Sequence, residues 1–479
     1  MSDAPLWTLD ALVGAVGGRV IGTPAGKIEG ISIDTRTIKP GEAFFAIKGD
    51  RVDGHDYVAN AVAAGAAISV VAESKIKKMP KDAALLVVPD VLESLYSLAR
   101  AARVRSSAKI IAVTGSVGKT GTKEALRLVL SREGETHASA ASHNNHWGVP
   151  LSLARLPVSA RFGVFELGMN HAGELTPLSR LVRPHVALIT TIEPVHIEYF
   201  ANIEAIADAK AEIFSGVIEG GTAVLNRDNA LFDRLAAAAR RAGVKNIVGF
   251  GVDQNAEARL IDIALKPDCS CVHALILGDE IAYKIGTPGR HLVQNTLGVL
   301  AAAKVAGADL ALVALALARL QPSFGRGRFI KLDLVTGEAI LIDESYNANP
   351  ASMRAAIKVL AQTPVGRRGR RIAVLGDMLE LGSNATMMHR DLSKAIEDAK
   401  IDLVFCAGPL MRALWDALPA ARRGGYADSA ARIEAQVLAA LRQGDAIMVK
   451  GSKASCMGTI VTGLVDRYCP RESTEDATA

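Results

Sequence analysis

Short apolar runs alternate with longer stretches whose apolar residues recur at helical spacing, and this rhythm holds through most of the chain. Before residue 106 the runs Ile28–Ile33, Ala43–Ile47, Ala67–Val71 and Leu85–Val88 predict strands, while Val58–Ala64 and Leu92–Val104 predict helices. The polar stretch Arg103–Lys109 predicts a linker. From Ile110 the runs Ile110–Val113, Val164–Leu167, Ala187–Thr191, Ala223–Asn226 and Ile247–Phe250 are apolar throughout rather than alternating. Strands of that kind are covered on both faces, which predicts a doubly wound parallel sheet. Leu260–Ile285 contains two period-2 runs around Lys266–Cys271, an expected antiparallel addition, and a helix is expected over His291–Ala306.

The segment Gln321-Pro-Ser-Phe-Gly-Arg-Gly-Arg328 interrupts the pattern with proline and glycine. Beyond it, strands at Ile340–Asp343, Ile372–Leu375, Leu403–Ala407 and Ala446–Val449 alternate with helices in a second parallel unit. No repeat of 20–50 residues is visible. The chain is therefore expected to be an α/β protein of three domains, residues 1–107, 108–322 and 323–470, with a polar tail over 471–479 that frays.

The length of 479 residues agrees with three domains of roughly 150 residues each. A net charge of +5 with scattered Lys and Arg makes no demand for nucleic acid and suits an anionic small substrate equally well. Five cysteines, with Cys269 and Cys271 too close for a routine bridge, are expected as reduced thiols in a cytoplasm. The N-terminus lacks signal-peptide character, and no apolar stretch approaches the ~20 residues that span a bilayer.

The most informative segment is Lys109-Ile-Ile-Ala-Val-Thr-Gly-Ser-Val-Gly-Lys-Thr-Gly-Thr-Lys-Glu124, an apolar strand, a glycine turn and a helix start. It aims backbone N–H groups and a helix N-terminus at one spot, which favours an anion. Gly115 and Gly118 allow close approach of phosphate, Lys119 can reach the terminal phosphates, and the Thr120 hydroxyl is placed to hold Mg²⁺. Only Ser116 and Val117 separate the two glycines, whereas the common pattern has four residues before Gly-Lys.

Other polar groups follow strands, at the edge where open α/β sheets bind ligands. Glu166 is either a Mg²⁺ ligand or a cap. His196 alone reads as a packed or exposed histidine more readily than as a ligand. Lys210, in Asp208-Ala-Lys-Ala-Glu-Ile213, reads on its own as a solvated helix lysine. The loop Ser142-His-Asn-Asn-His-Trp-Gly-Val-Pro150 is a turn or a binding segment. Asp343-Glu-Ser-Tyr-Asn-Ala-Asn-Pro350 suits a nucleoside or serves as capping residues, and Gly376–Gly382 and Lys450-Gly-Ser-Lys453 also follow strands.

Taken in order, Thr114–Thr120, Glu166, His196, Lys210 in Ala-Lys-Ala-Glu, His291–Asn295, Gly325-Arg326, Asp343–Pro350 and Gly376–Gly382 resemble the Mur ligases over nearly the whole chain. Ser32-Ile-Asp-Thr-Arg36, Lys39–Gly49 and Asp53-Gly-His-Asp56 resemble that family's UDP-sugar-binding domain. The resemblance implies a central doubly wound P-loop ATPase domain between an N-terminal UDP-sugar-binding α/β domain and a C-terminal Rossmann-like α/β domain. It implies ATP and two Mg²⁺ as cofactors, and UDP-MurNAc-tripeptide and D-Ala-D-Ala as the molecules joined, in a monomer with no nucleic-acid partner and no membrane insertion.

By the same resemblance, Lys119, Arg326, His196 and a carbamylated Lys210 are the catalytic residues, and Thr120, Glu166, His196 and Lys210 hold metal. Gly115, Ser116, Val117, Gly118, Lys119, Thr120, Asn295, Arg326, Asp343, Tyr346 and Asn347 meet the nucleotide. Ser32, Asp34, Arg36, Lys48, Asn144 and Asn145 meet the UDP-sugar peptide. Val117 and Gly121 stand where the family often has Asn or Ser and Thr, and His146 where it often has Asp. The alternatives are a sibling ligase adding a single amino acid, a folylpolyglutamate synthase, and a regulatory P-loop NTPase that forms no acyl phosphate.

Overall fold

The computed structural model describes residues 4–49, 52–139, 144–194, 197–266, 269–322 and 324–469. The expectations for His143, His196 and the 471–479 tail fall outside them. The described residues form four sheets. In the N-terminal unit the order is Arg19–Ile21, Leu85–Val88, Ile68–Ala72, Glu42–Phe45, Gly30–Ser32, parallel except for the antiparallel first strand. Trp7–Thr8 pairs separately with Lys27–Ile28.

The central sheet runs Asp279–Ile285, Ser270–Ile276, Ala258–Leu265, Asn246–Gly251, Thr222–Asn226, Val186–Ile189, Lys109–Thr114, Phe162–Glu166, Thr136–Ala138. It is parallel from Ala258–Leu265 onward, with the first two strands folded on antiparallel. The segment read as two runs thus contains three strands, of which Ser270–Ile276 and Asp279–Ile285 form the antiparallel addition and Ala258–Leu265 is parallel to Asn246–Gly251. The C-terminal sheet runs Arg328–Leu334, Gly337–Glu344, Ala446–Lys450, Arg371–Gly376, Leu403–Ala407, Arg423–Ala427, parallel after its first strand.

The all-apolar strands divide their side chains between two cores because successive residues point to opposite faces. Ile111 and Val113 pack with Leu126 and Leu297 on one side of the central sheet. Ile110 and Ala112 pack with Leu153 and Ile206 on the other. In the C-terminal sheet Ala373 and Leu375 face one core, and Ile372 and Val374 the other. The chain leaves Lys109–Thr114 for strands on one side of it and returns to Val186–Ile189 on the other, so the sheet order reverses at Thr114. That switch point is where an open α/β sheet leaves a crevice for a ligand.

The expected linker at Arg103–Lys109 is for the most part not a free connection. Arg103 and Arg105 belong to the helix Val91–Arg105. The Arg103 guanidinium donates to the carbonyls of Val182 and Arg183, and Arg105 lies 3.3 Å over the Trp7 ring and donates to Leu6 O. The short helix Gly148–Ala154 is buried along its whole length. Val149 and Leu153 enter the central core, whereas Leu151 and Ala154 enter the N-terminal one. Trp7 Nε1 donates to Ala154 O (3.0 Å) and Arg155 Nε to Ile31 O (2.6 Å), closing the junction. No helix among the described residues is long and apolar enough to cross a membrane.

Leu151 tests this junction, since it lies on the central unit's chain but fills the N-terminal core. Leu151→Ala should cost about 2–5 kcal/mol through lost burial and a residual cavity. Denaturant unfolding followed from the N-terminal unit should show it, and a change within about 0.5 kcal/mol would mean that the two cores are not joined there.

Candidate active site

The glycine turn depends on two backbone conformations that side chains disfavour. Gly115 has φ +144° and Gly118 φ +85°. A Cβ on Gly115 would come 1.9 Å from Thr190 Oγ1, and one on Gly118 would come 2.9 Å from Asn295 Nδ2. The helix Lys119–Leu130 starts at Gly118 with no side-chain cap, so its N-terminus faces the crevice. The turn is clamped from behind. The Ser116 hydroxyl donates to Glu193 O and accepts from Glu193 N, both at 2.9 Å, and Ser116 N donates to Thr191 O. The Thr190 hydroxyl donates to Val117 O at 2.6 Å. Thr190 was not anticipated, although a hydroxyl residue at a strand's carboxyl end was the available signal.

Glu166 ends its strand with its side chain buried, bridging two neighbours. The Thr120 hydroxyl donates to Oε2 and the Asn144 amide to Oε1, each at 2.8 Å. Lys119 curls back so that its ammonium donates to Gly115 O at 2.6 Å. It keeps some exposure but sits deep in the cleft. Burial lowers its pKa, the nearby Glu166 opposes the shift and Arg326 adds to it.

Lys210 is not the solvated lysine that its neighbours suggested. It is 1% exposed, on the helix Ile203–Ala211, four residues beyond the buried Ile206 and so on the same inward face. Asp208 points outward to pair with Arg234. Burial, reinforced by the Lys119 charge, pushes the Lys210 ammonium well below its ordinary range. That shift favours the neutral amine.

The other wall comes from the C-terminal unit. Arg326 lies 4.0 Å over the Tyr346 ring, and Lys453 Nζ is 5.8 Å from the same ring. Asp343 is buried with both oxygens engaged: Oδ2 accepts from Gly325 N (2.7 Å), and Oδ1 from the Ser345 amide and hydroxyl. It thereby fastens the glycine segment carrying Arg326 to the loop carrying Tyr346. The Asn347 side chain accepts from Ala348 N, and its carbonyl accepts from Lys450, which is also paired with Glu344 at 2.9 Å. Asn349 caps the next helix in a capping box with Ser352. His291 lies at the start of the helix bearing Asn295; desolvation lowers its pKa, Glu344 opposes the shift and Lys450 adds to it.

In the N-terminal unit the Ser32 hydroxyl donates to Asp34 O, and Asp34 holds Arg36 through two parallel bonds while Arg36 stays largely exposed. Lys48 is exposed and its backbone forms an isolated antiparallel bridge with Asp53, whose carboxylate pairs with His55 (2.6 Å) and Lys75 (2.8 Å). The Asn145 side-chain oxygen accepts from Trp147 N and Gly148 N where the chain enters the helix Gly148–Ala154. The contacts of Ser32, Asp34, Arg36 and Lys48 lie within the N-terminal unit, whereas Asn144 reaches Glu166 at the glycine turn. His196 lies outside the described residues. Among the described residues no three His, Cys, Asp or Glu side chains gather as metal ligands. The Thr120 hydroxyl and Glu166 carboxylate are hard oxygen donors of the kind Mg²⁺ takes.

Comparison with known proteins agrees with this arrangement. The Mur ligase family catalytic domain matches residues 27–113, the Mur ligase middle domain residues 113–303, and the Mur ligase glutamate ligase domain residues 327–453. The chain is 34% identical over 469 residues to the UDP-N-acetylmuramoyl-tripeptide–D-alanyl-D-alanine ligase of Escherichia coli, covering 95% of this chain and 98% of that one. It is 32% identical to the ligase of the same name from Rickettsia prowazekii, covering 91% and 94%. A crystal structure of MurF from Acinetobacter baumannii superposes with a TM-score of 0.82 at 31% identity, covering 96% of this chain and 99% of that one.

Gly115→Ala tests the turn. The added methyl would meet Thr190 Oγ1, and φ +144° is strained for alanine. ATP affinity measured by calorimetry should fall at least about tenfold, the equivalent of 1.4 kcal/mol. Wild-type affinity in a folded variant would show that nucleotide does not need this close approach.

Proposed function

Because the chain belongs to the Mur ligase family, we infer that it is an ATP-dependent ligase that adds D-alanyl-D-alanine to a UDP-N-acetylmuramoyl-tripeptide in peptidoglycan precursor synthesis. The observation that carries this reading is the buried Glu166 bonded to Thr120 of the glycine turn, with the buried Lys210 near Lys119 and with Arg326, stacked on Tyr346, near the same lysine. A regulatory NTPase has no need of a second, buried lysine near the lysine of the glycine turn.

A carboxylate is a poor electrophile, so ligation requires a leaving group on the acceptor. In the proposed reaction the terminal carboxylate of the tripeptide attacks the γ-phosphorus of ATP, giving an acyl phosphate and ADP. The amine of D-Ala-D-Ala adds to the acyl carbon, and the tetrahedral intermediate collapses with loss of phosphate and a proton. Residues 108–322 take ATP on Gly115–Thr120 with Asn295, residues 1–107 take the UDP end through Ser32, Asp34, Arg36 and Lys48, and residues 323–470 admit the dipeptide. Lys119 and Arg326 offset the repulsion between two anions brought together. Tyr346 and Asn347 meet the nucleoside, with Asp343 holding their loop. Asn144 and Asn145 border the acceptor's path.

Two Mg²⁺ ions would supply charge neutralisation at the phosphates. Thr120 would hold one, and Glu166, His196 and a carbamylated Lys210 the other. The low pKa of Lys210 supports its role, since only a neutral amine adds CO₂. The protein is read as a cytoplasmic monomer.

Incubation with ATP, D-Ala-D-Ala and a panel of UDP-linked peptides, read by mass, should give a UDP-MurNAc-pentapeptide with stoichiometric ADP and phosphate. Hydrolysis of ATP indifferent to every acceptor would point instead to a regulatory NTPase.

Lys210→Ala should abolish ligation, with partial recovery on adding short-chain carboxylates. Lys210→Arg should fail as well, because a guanidinium keeps its charge and takes up no CO₂ in this way. Full activity in Lys210→Arg would discard the carbamate.

A further inference from the structure

One aromatic side chain of the central chain, four residues short of Leu151, packs onto the core of the N-terminal unit. Trp147 is half-buried on the central chain, and its ring lies against the N-terminal unit at Gly49, where a Cβ would come 2.7 Å from the indole Cη2. Gly49 follows the exposed Lys48, and its amide is bonded to Val52 O, so the ring rests on the loop that carries Lys48. Three residues before Trp147, Asn144 donates to Glu166. The ring's backbone is fixed, because the Asn145 side-chain oxygen accepts from both Trp147 N (3.2 Å) and Gly148 N (2.9 Å). The exposed His146 stands edge-on to the indole, with centroids 5.4 Å apart and planes at 70°.

We propose that Trp147 is a specificity-determining residue of the acceptor site, its indole forming an aromatic platform for the sugar ring of the UDP-linked substrate. This rests on the ligase reading above. If the UDP end lies on the Ser32–Arg36 and Lys48 loops and the peptide carboxylate reaches Lys119, the sugar between them crosses the Trp147 ring. A pyranose presents a face of C–H groups, and an indole face carries partial negative charge, so the two stack without needing a charged partner. Gly49 keeps that ring close, since any side chain there would displace it.

The test uses the full chain and three ligands: UDP, UDP-N-acetylglucosamine and UDP-MurNAc-tripeptide. Indole emission of the wild type should respond to both UDP-sugars and not to UDP, and Trp147→Phe should lack that response. Trp147→Ala should weaken both UDP-sugars by about tenfold, raise KM for the acceptor and leave UDP affinity and the KM for ATP unchanged. Trp147→Phe should retain most of the affinity. Equal weakening of UDP and UDP-sugars in Trp147→Ala, or no weakening, would overturn the platform and leave the ring as packing between the two units. A Trp147→Ala chain that fails to fold passes the decision to Trp147→Phe and the wild-type emission: a wild-type signal identical for UDP and UDP-sugars overturns the proposal. If the wild type binds no UDP-sugar at all, the ligase reading fails first and the platform falls with it.

Discussion

A buried carboxylate organises the catalytic end of this molecule. Glu166 ends a central strand with its side chain out of contact with bulk water, a position that is costly for an ion unless its oxygens are bonded. The Thr120 hydroxyl satisfies one oxygen and the Asn144 amide the other, so one charge ties the phosphate-loop helix to the loop that leads toward the N-terminal unit. Lys119 lies near it and Lys210 near Lys119, and both ammonium groups have pKa values lowered by burial.

The opposite wall of the cleft is built as a unit of its own. Gly325 and Gly327 donate to the Asp343 side chain and carbonyl respectively, and Tyr346 N returns a bond to Gly325 O. Arg326 and Tyr346 are thus carried on one small fastened block. The two walls face each other at further points: Arg354 lowers the pKa of Glu193 against the larger upward effect of burial, and Gly382 lies against Glu198. Because Glu193 is bonded to Ser116, a charge on the C-terminal unit is felt one step from the glycine turn.

Much of this was legible in the sequence where one local signal sufficed. Strands apolar on both faces, such as Lys109–Thr114 and Arg371–Gly376, are legible by composition, and the glycine turn by Gly-Lys-Thr following directly on an apolar strand. Arg328–Leu334 was missed because its sequence, Arg-Phe-Ile-Lys-Leu-Asp-Leu, alternates as an outer strand does and follows directly on a breaker segment. The burial of Lys210 is hidden on a plain reading by its acidic neighbours, although its i+4 relation to Ile206 points inward; only the family resemblance assigns it to the site. Arg103 and Arg105 looked like linker residues because their partners, Val182, Arg183, Leu6 and Trp7, are distant in sequence. The apposition of Trp147 and Gly49 is of the same kind, a contact set by how two units dock.

The helix Gly148–Ala154 has a consequence for how such a chain can be recombined. Within seven residues, Val149 and Leu153 answer to one core and Leu151 and Ala154 to another. A graft that exchanged only the segment before the glycine turn would leave half of this helix facing a foreign surface. The inherited unit of the N-terminal region is therefore discontinuous: its natural boundary includes a piece of chain lying beyond the nucleotide loop, and exchange between relatives has to carry both pieces together.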